Sequence, residues 1–263
     1  MPLAGQLLGG DLTTIDFPDV SITVLKGINN AEQIVGIYGG SDINPGGFLW
    51  YQGQFTTIEI PGTTTILEAN GINDAGQIVG HYLDSTDSHG FLLSEGQVTT
   101  IDFPGAYGTW SNGINNAGQI VGNYYDGLAF RGFLMDRNQF TTLHFPGANA
   151  TFPNGINAGG QIVGNYKVGK IGHAFLLEGG HFTTIEFPGA DGTGLCGIND
   201  AGQIVGEYVT GGVLHGFLLD GGEFTTIDVP GADLTGATGI NNNRQIVGFY
   251  SSGNEAHGFL LNN

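Results

Sequence analysis

The sequence predicts an all-β fold: a six-bladed β-propeller of four-stranded antiparallel blades, closed by an N-terminal strand that completes the last blade. Three observations carry this. The tripeptide Gly-Ile-Asn recurs at Gly27, Gly71, Gly113, Gly155, Gly197 and Gly239, in steps of 44, 42, 42, 42 and 42 residues, and a strand-built repeat of about 40 to 45 residues is the size of one blade. Each repeat breaks into short apolar runs bounded by Gly, Asn or Asp, which is the signature of strands and tight turns. The two chain ends carry complementary fragments of one repeat. The repeats run without a linker or composition shift, so residues 1–263 are expected to form a single domain.

The repeat from Gly197 stands for the others. Gly197-Ile198-Asn199 ends a first strand, Gln203 to Tyr208 forms a second, His215 to Leu219 a third and Phe224 to Val229 a fourth. The connectors Asp200-Ala201-Gly202 and Asp220-Gly221-Gly222-Glu223 are too short for a crossover and suit hairpins, so the blade is an antiparallel meander. The second and third strands are the most continuously apolar, as expected where neighbouring blades cover both faces of a sheet. Proline follows the fourth strand at Pro61, Pro104, Pro146, Pro188 and Pro230 and prevents the ladder from continuing, which places that strand at the outer edge. The first strand then lies nearest the axis.

The chain ends on His257-Gly258-Phe259-Leu260-Leu261, a third strand without a fourth, and Leu12 to Phe17 is a fourth strand without a third. Their pairing would close the ring and leave no open edge. Residues 5 to 8 read as a worn third-strand copy and are expected to be a loose tail. Solenoids also repeat regularly, but their coils are shorter and need no hairpins.

Lys and Arg number 6 against 24 Asp and Glu, a formal charge of -18. Such a field repels phosphate backbones and argues against nucleic acid as a partner. Cys196 is the only cysteine, so neither an intrachain disulfide nor a thiolate metal cluster is expected. The opening Met-Pro-Leu-Ala-Gly lacks the basic-then-apolar pattern of a signal peptide, and no run of some 18 apolar residues predicts membrane insertion. The expected state is a monomer.

The segments that differ most between repeats fall on one face, in the loops between second and third strands: residues 39–45, 83–88, 125–130, 167–172, 209–214 and 251–256. Variation on a uniform scaffold marks that face as the one adapted for binding. The entry to the first strand varies too. Three residues before each anchor stand Val24, Glu68, Trp110, Phe152, Gly194 and Gly236, and one residue before it Lys26, Asn70, Asn112, Asn154, Cys196 and Thr238. One alternating set is expected to line the channel mouth, with Trp110, Phe152 and nearby Tyr107 as an apolar platform for a sugar ring and Lys26 and Glu68 as charged partners.

A second reading is enzymatic. Arg131, Lys167 and Lys170 hold half of the six basic residues beside Tyr124, Tyr166 and His173. An acidic polysaccharide would find its carboxylate neutralised there, with Tyr166 or His173 as the base of a β-elimination lyase and Arg131 as the charge partner. A polysaccharide hydrolase at the channel mouth belongs to the same class. The repeated Tyr and His positions read more simply as hydrogen-bonding braces, and third-strand histidines lie too far from the axis to share a zinc ion. No metal or cofactor is expected; a calcium reading rests only on the paired carboxylates Asp84 and Asp87. Gly-rich strings precede strands, never a helix, and are not nucleotide cradles.

The strings Gly-Ile-Asn-Asn-Ala-Gly-Gln-Ile-Val-Gly at 113–122 and His173-Ala174-Phe175 resemble bacterial extracellular repeats named HAF after the tripeptide His-Ala-Phe. The similarity runs along nearly the whole chain. It departs at the tripeptide itself: His-Gly-Phe stands at 89, 215 and 257, and Arg131 and Gly46 replace the histidine in two repeats. The resemblance implies an extracellular or cell-surface setting and supplies no reaction. The expected function is therefore an extracellular binding or scaffold module that presents its variable face to a glycan or protein ligand, with the lyase or hydrolase and a purely structural repeat as alternatives.

Overall fold

The computed structural model describes residues 10–41, 43–60 and 66–262. Among them are 24 β-strands and no helix. Pairing groups the strands into four-stranded antiparallel meanders. The repeat from Gly197 becomes Gly192–Ile198, Ile204–Thr210, Val213–Asp220 and Glu223–Ile227, hydrogen-bonded in that order. The last meander takes its outer strand from the other end of the chain: Asp11–Ile15 pairs with Glu255–Asn262, setting Leu12 opposite Leu261 and Thr14 opposite Phe259. The tail expected at residues 5 to 8, and Pro61, lie outside the described residues.

The fourth strands stop short of the predicted ends, at Ile15 instead of Phe17 and at Ile227 instead of Val229. The cause is the residue before the proline. The Phe17, Phe103, Phe145 and Phe187 amides donate to Thr23, Thr109, Thr151 and Thr193 of the following first strand, at 2.9 to 3.0 Å. Their rings stack on Tyr38, Tyr124, Tyr166 and Tyr208 of that next meander, with centroids 3.6 to 4.0 Å apart. The chain leaves the ladder to become mortar between meanders.

The first strands Ile22–Ile28, Ile66–Ile72, Gly108–Ile114, Ala150–Ile156, Gly192–Ile198 and Leu234–Ile240 stand side by side at the centre. The anchor glycine permits that approach: a Cβ on Gly113 would lie 2.6 Å from Asn154 O and 3.2 Å from the Gly155 Cα. The same fit recurs at each step, and Gly239 meets Gly27 in this way, 3.3 Å from its Cα. The glycine of Gln-Ile-Val-Gly serves differently. A Cβ on Gly122 would overlap Trp110 O and press on Phe133, one of six third-strand phenylalanines with no exposed surface. Each such ring contributes about 1.5 to 3 kcal/mol on burial.

Every first strand carries a register shift of one residue, and the extra residue is the one before the anchor: Lys26, Asn70, Asn112, Asn154, Cys196 or Thr238. A bulge of this kind re-aims a side chain. On the other side of the anchors the structure is uniform. Asn115 Oδ1 accepts the amides of Ala117 and Gln119, both at 3.0 Å, and its Nδ2 donates to Gln119 Oε1 and to Asn157 O of the next meander. The cross-meander bond repeats from Asn29 to Asn73, Asn115, Asn157, Asn199 and Asn241, and Asn241 donates back to Asn29 O at 3.0 Å.

Candidate functional site

Two cavities lie on the axis, separated by a belt of six isoleucines, Ile28, Ile72, Ile114, Ile156, Ile198 and Ile240, which line both. The lower cavity, on the hairpin face, is small, about 70 Å³, and is edged by the uniform asparagines together with Asp74 and Asp200. Those carboxylates are already engaged: Asp74 accepts from Asn30 and Asn116, and Asp200 from Ala158 and Asn242. The upper cup opens on the variable face and holds about 380 Å³.

The bulge residues build the cup wall. All six line it, joined by Glu68, His81, Glu207 and Phe249. Asn70, Asn112, Asn154 and Thr238 each donate to a carbonyl of the next first strand, at 2.7 to 3.1 Å, which fixes the wall. Lys26 and Cys196 occupy the two remaining places and break the symmetry. His81 is paired in register with Glu68, and its Nδ1 lies 3.4 Å from Asn70 Nδ2.

The electrostatics are uneven across the cup. Burial raises the Glu207 carboxyl above its ordinary value, with Lys26 pulling it back. Burial lowers His81, an effect that Glu68 opposes and Lys26 reinforces. Burial, and then Glu207, push the Cys196 thiol well up, so it stays protonated and is a poor nucleophile. Among the described residues no group of three or more His, Cys, Asp or Glu is placed to hold a metal ion. No helix among them is long and apolar enough to cross a membrane.

Of the residues singled out in the sequence, Lys26 and Glu68 meet in the cup. The expected platform of Trp110, Phe152 and Tyr107 is not part of the cup lining: it stands outside it, with Trp110 6.4 Å from the cup residue His81, and is bridged by rings the sequence reading missed. Phe130 stands 5.5 Å from both Trp110 and Phe152, and Tyr125 links Phe130 to the exposed Tyr107. Lys167 and Lys170 line a separate groove of about 540 Å³ between the fourth and fifth meanders, with Phe152, Gly194 and Glu207. Glu207 belongs to both the cup and the groove.

Of the lyase constellation, Tyr166 and His173 line that groove together with Lys167 and Lys170, while Arg131 and Tyr124 are not part of its lining. Tyr166 is buried, stacks on Phe145 and shares a hydrogen bond with Thr184 at 2.8 Å; His173 Nδ1 bonds Glu186 at 2.7 Å. Tyr124 is held the same way by Phe103 and Thr142. These are braces that recur along the chain, as at Tyr208 with Thr226 and His215 with Asp228. Arg131 is tied to Asp126 at 3.1 Å and to His144 at 3.3 Å and does not reach the groove. Asp84 is likewise occupied: Oδ1 accepts three bonds from Thr86 and Asp87 and Oδ2 faces His89, holding its pKa at about 2. It closes its own loop and offers no open calcium ligand set.

His81, Glu207 and Phe249 share one repeat position, ten residues after each anchor, where Ile37, Asn123 and Asn165 stand in the other repeats. Register pairs this position with the one three residues before the anchor: Glu68 with His81, Trp110 with Asn123 and Phe152 with Asn165. The signal was available, since the residue varies directly after an unvarying Gln-Ile-Val-Gly.

No protein-family model matches the chain, and neither does any curated protein. Solved structures do, at low identity. A gluconolactonase from Xanthomonas campestris aligns with a TM-score of 0.55 and 13% identity over 98% of this chain and 91% of its own. The Aleuria aurantia lectin, in complex with Fucα1-6GlcNAc, aligns with a TM-score of 0.56 and 11% identity over 89% and 90%. The propeller domain of the Trilobed protease from Pyrococcus furiosus, described as having an open velcro topology, aligns with a TM-score of 0.55 and 10% identity over 94% of each chain. These similarities show the fold: the chain is a β-propeller.

Proposed function

We propose that the six meanders are the blades of one closed six-bladed propeller, a single monomeric domain, and that it is a non-enzymatic binding module whose axial cup takes the end of a glycan. The observation that carries this reading is the asymmetry of the cup. Asn112 and Asn154 line it with Lys26 and Glu68, a donor and an acceptor, and an arc of Trp110, Phe130 and Phe152 adjoins it on one side only, through His81 and the Asn112–Asn123 bond. Flat apolar rings next to amides and charges suit a sugar, which presents C–H faces and hydroxyl edges to the same pocket. A cup of about 380 Å³ has room for one or two sugar rings.

The return of the anchor glycines and the asparagine bonds to their starting meander supports closure. A setting at or outside the cell surface is proposed from the repeat resemblance alone. The reading needs no cofactor. Cup residues such as Cys196 and His81 are held neutral by burial, and the groups that would serve a lyase are committed to braces, which favours binding over turnover.

A glycan array tests it. Wild-type protein is expected to retain a defined set of saccharides, and Trp110→Ala to lower their affinity tenfold or more with the melting temperature little changed. A glycan signal that survives Trp110→Ala unaltered, or none at all, overturns the reading; release of an unsaturated uronate product would instead establish the lyase.

A further inference from the structure

The position three residues before each anchor carries Trp110 and Phe152 in the third and fourth repeats, but Gly194 and Gly236 in the fifth and sixth. The aromatic arc beside the cup therefore stops at the fourth repeat. Gly236 makes room for Glu207: a Cβ there would lie 2.5 Å from the Glu207 Oε1. Gly194 leaves its space open, since a Cβ would meet nothing closer than Asn165 Oδ1 at 3.6 Å. That opening belongs to the groove between the fourth and fifth meanders, which holds about 540 Å³ and shares Glu207 with the cup.

The groove also concentrates positive charge on a chain of net charge -18 that has only six basic residues. Lys167 and Lys170 both line it, and Lys167 Nζ stands 5.8 Å from the centre of the Phe152 ring, within cation–π range. Two carboxylates are present. Asp191 Oδ2 is turned to the Gly211 amide at 3.1 Å, and burial favours the neutral form of Glu207. The mobile positive charge of the groove is that of the lysines, and it faces solvent.

Building on the saccharide reading of the cup, we propose that this groove is a second subsite, which takes an anionic sugar residue of an oligosaccharide whose end occupies the cup. The carboxylate or sulfate lies against Lys167 and Lys170, and the sugar ring against Phe152. The chain leaves the cup through the gap at Gly194.

The test is a titration of uronate and sulfated hexasaccharides, with disaccharides and carboxyl-reduced or desulfated counterparts, against wild type and two variants. Lys167→Ala/Lys170→Ala removes two exposed side chains. Gly194→Trp restores the aromatic found at the same place in the third repeat, at a backbone position without positive φ. Wild type is expected to bind the acidic hexasaccharides roughly tenfold or more tightly than the neutral ones, with affinity falling as salt rises. The double lysine variant is expected to lose that preference and the salt dependence. Gly194→Trp should weaken hexasaccharides and leave disaccharides unchanged. Equal binding of acidic and neutral hexasaccharides, or wild-type behaviour of both variants, overturns the subsite while the cup reading stands. Failure of every saccharide to bind wild type overturns both.

Discussion

The two ends of the axis are made by the same six strands, and they differ in almost every respect that matters for binding. At the lower end each asparagine after Gly-Ile repeats, and its amide and carbonyl are consumed by its own hairpin and its neighbour. Little polar capacity remains and the cavity is small. At the upper end, three residues and one residue before the anchor, and ten after it, no two adjacent repeats agree in all three places. One end ties neighbouring meanders together and the other is free to vary. Repetition in this chain marks structure, and departure from repetition marks the site.

Substitution of equivalent amides at the two ends breaks or sharpens that comparison. Asn115→Ala takes the acceptor from the part-buried Ala117 and Gln119 amides and removes the bonds to Gln119 Oε1 and Asn157 O, the latter keeping only the Gly160 amide, at a total cost of about 3 kcal/mol. The melting temperature should fall by roughly 6 to 12 °C, with saccharide affinity unchanged in the protein that remains folded. Asn154→Ala removes one bond, to Leu195 O at 2.8 Å, from a half-buried wall. It should cost about 1 kcal/mol, roughly 2 to 4 °C, and weaken binding. Equal stability losses at the two ends would remove the distinction between frame and site.

The smallest expected effect is electrostatic. Because burial raises the Glu207 carboxyl, the folded chain binds its proton more tightly than the unfolded chain does. Its stabilising contribution is full below the unfolded value and declines as pH rises through the folded one. Glu207→Gln removes the charge that burial disfavours. The variant should melt higher than wild type at pH 8, the gap closing toward pH 4; thermal melts that stay parallel across this range would contradict a buried Glu207 charge.

Much of the frame was legible in the sequence, because it rests on residues that a period exposes. Gly27 through Gly239 gave the inner strands, the short Asp-Ala-Gly connectors gave the hairpins, and Asp11–Ile15 was visible as the missing partner of Glu255–Asn262. The strand ends were misjudged because Phe17 and its counterparts look like strand residues, and only the tertiary stack on tyrosine and the threonine bond draw them off the ladder. The site was half legible. Lys26, Glu68 and Trp110 announced themselves by breaking the pattern, and the one-residue bulge that aims Lys26 inward is set by the packing of glycine against glycine. Glu207 and His81 were missed because they sit one residue past a fixed string, on a strand expected to be covered on both sides. Tyr166 and His173 were legible as braces, because each type returns at one position in repeat after repeat, and they are bonded to Thr184 and Glu186.

The most direct test of a single asymmetric cup on a symmetric frame is the stoichiometry of binding. Isothermal titration of wild-type protein with a saccharide selected on the array should give one site per chain, abolished by filling the cup and indifferent to Asn115→Ala. Five or six equivalent sites per chain, as symmetry-related pockets between blades would produce, would contradict the account.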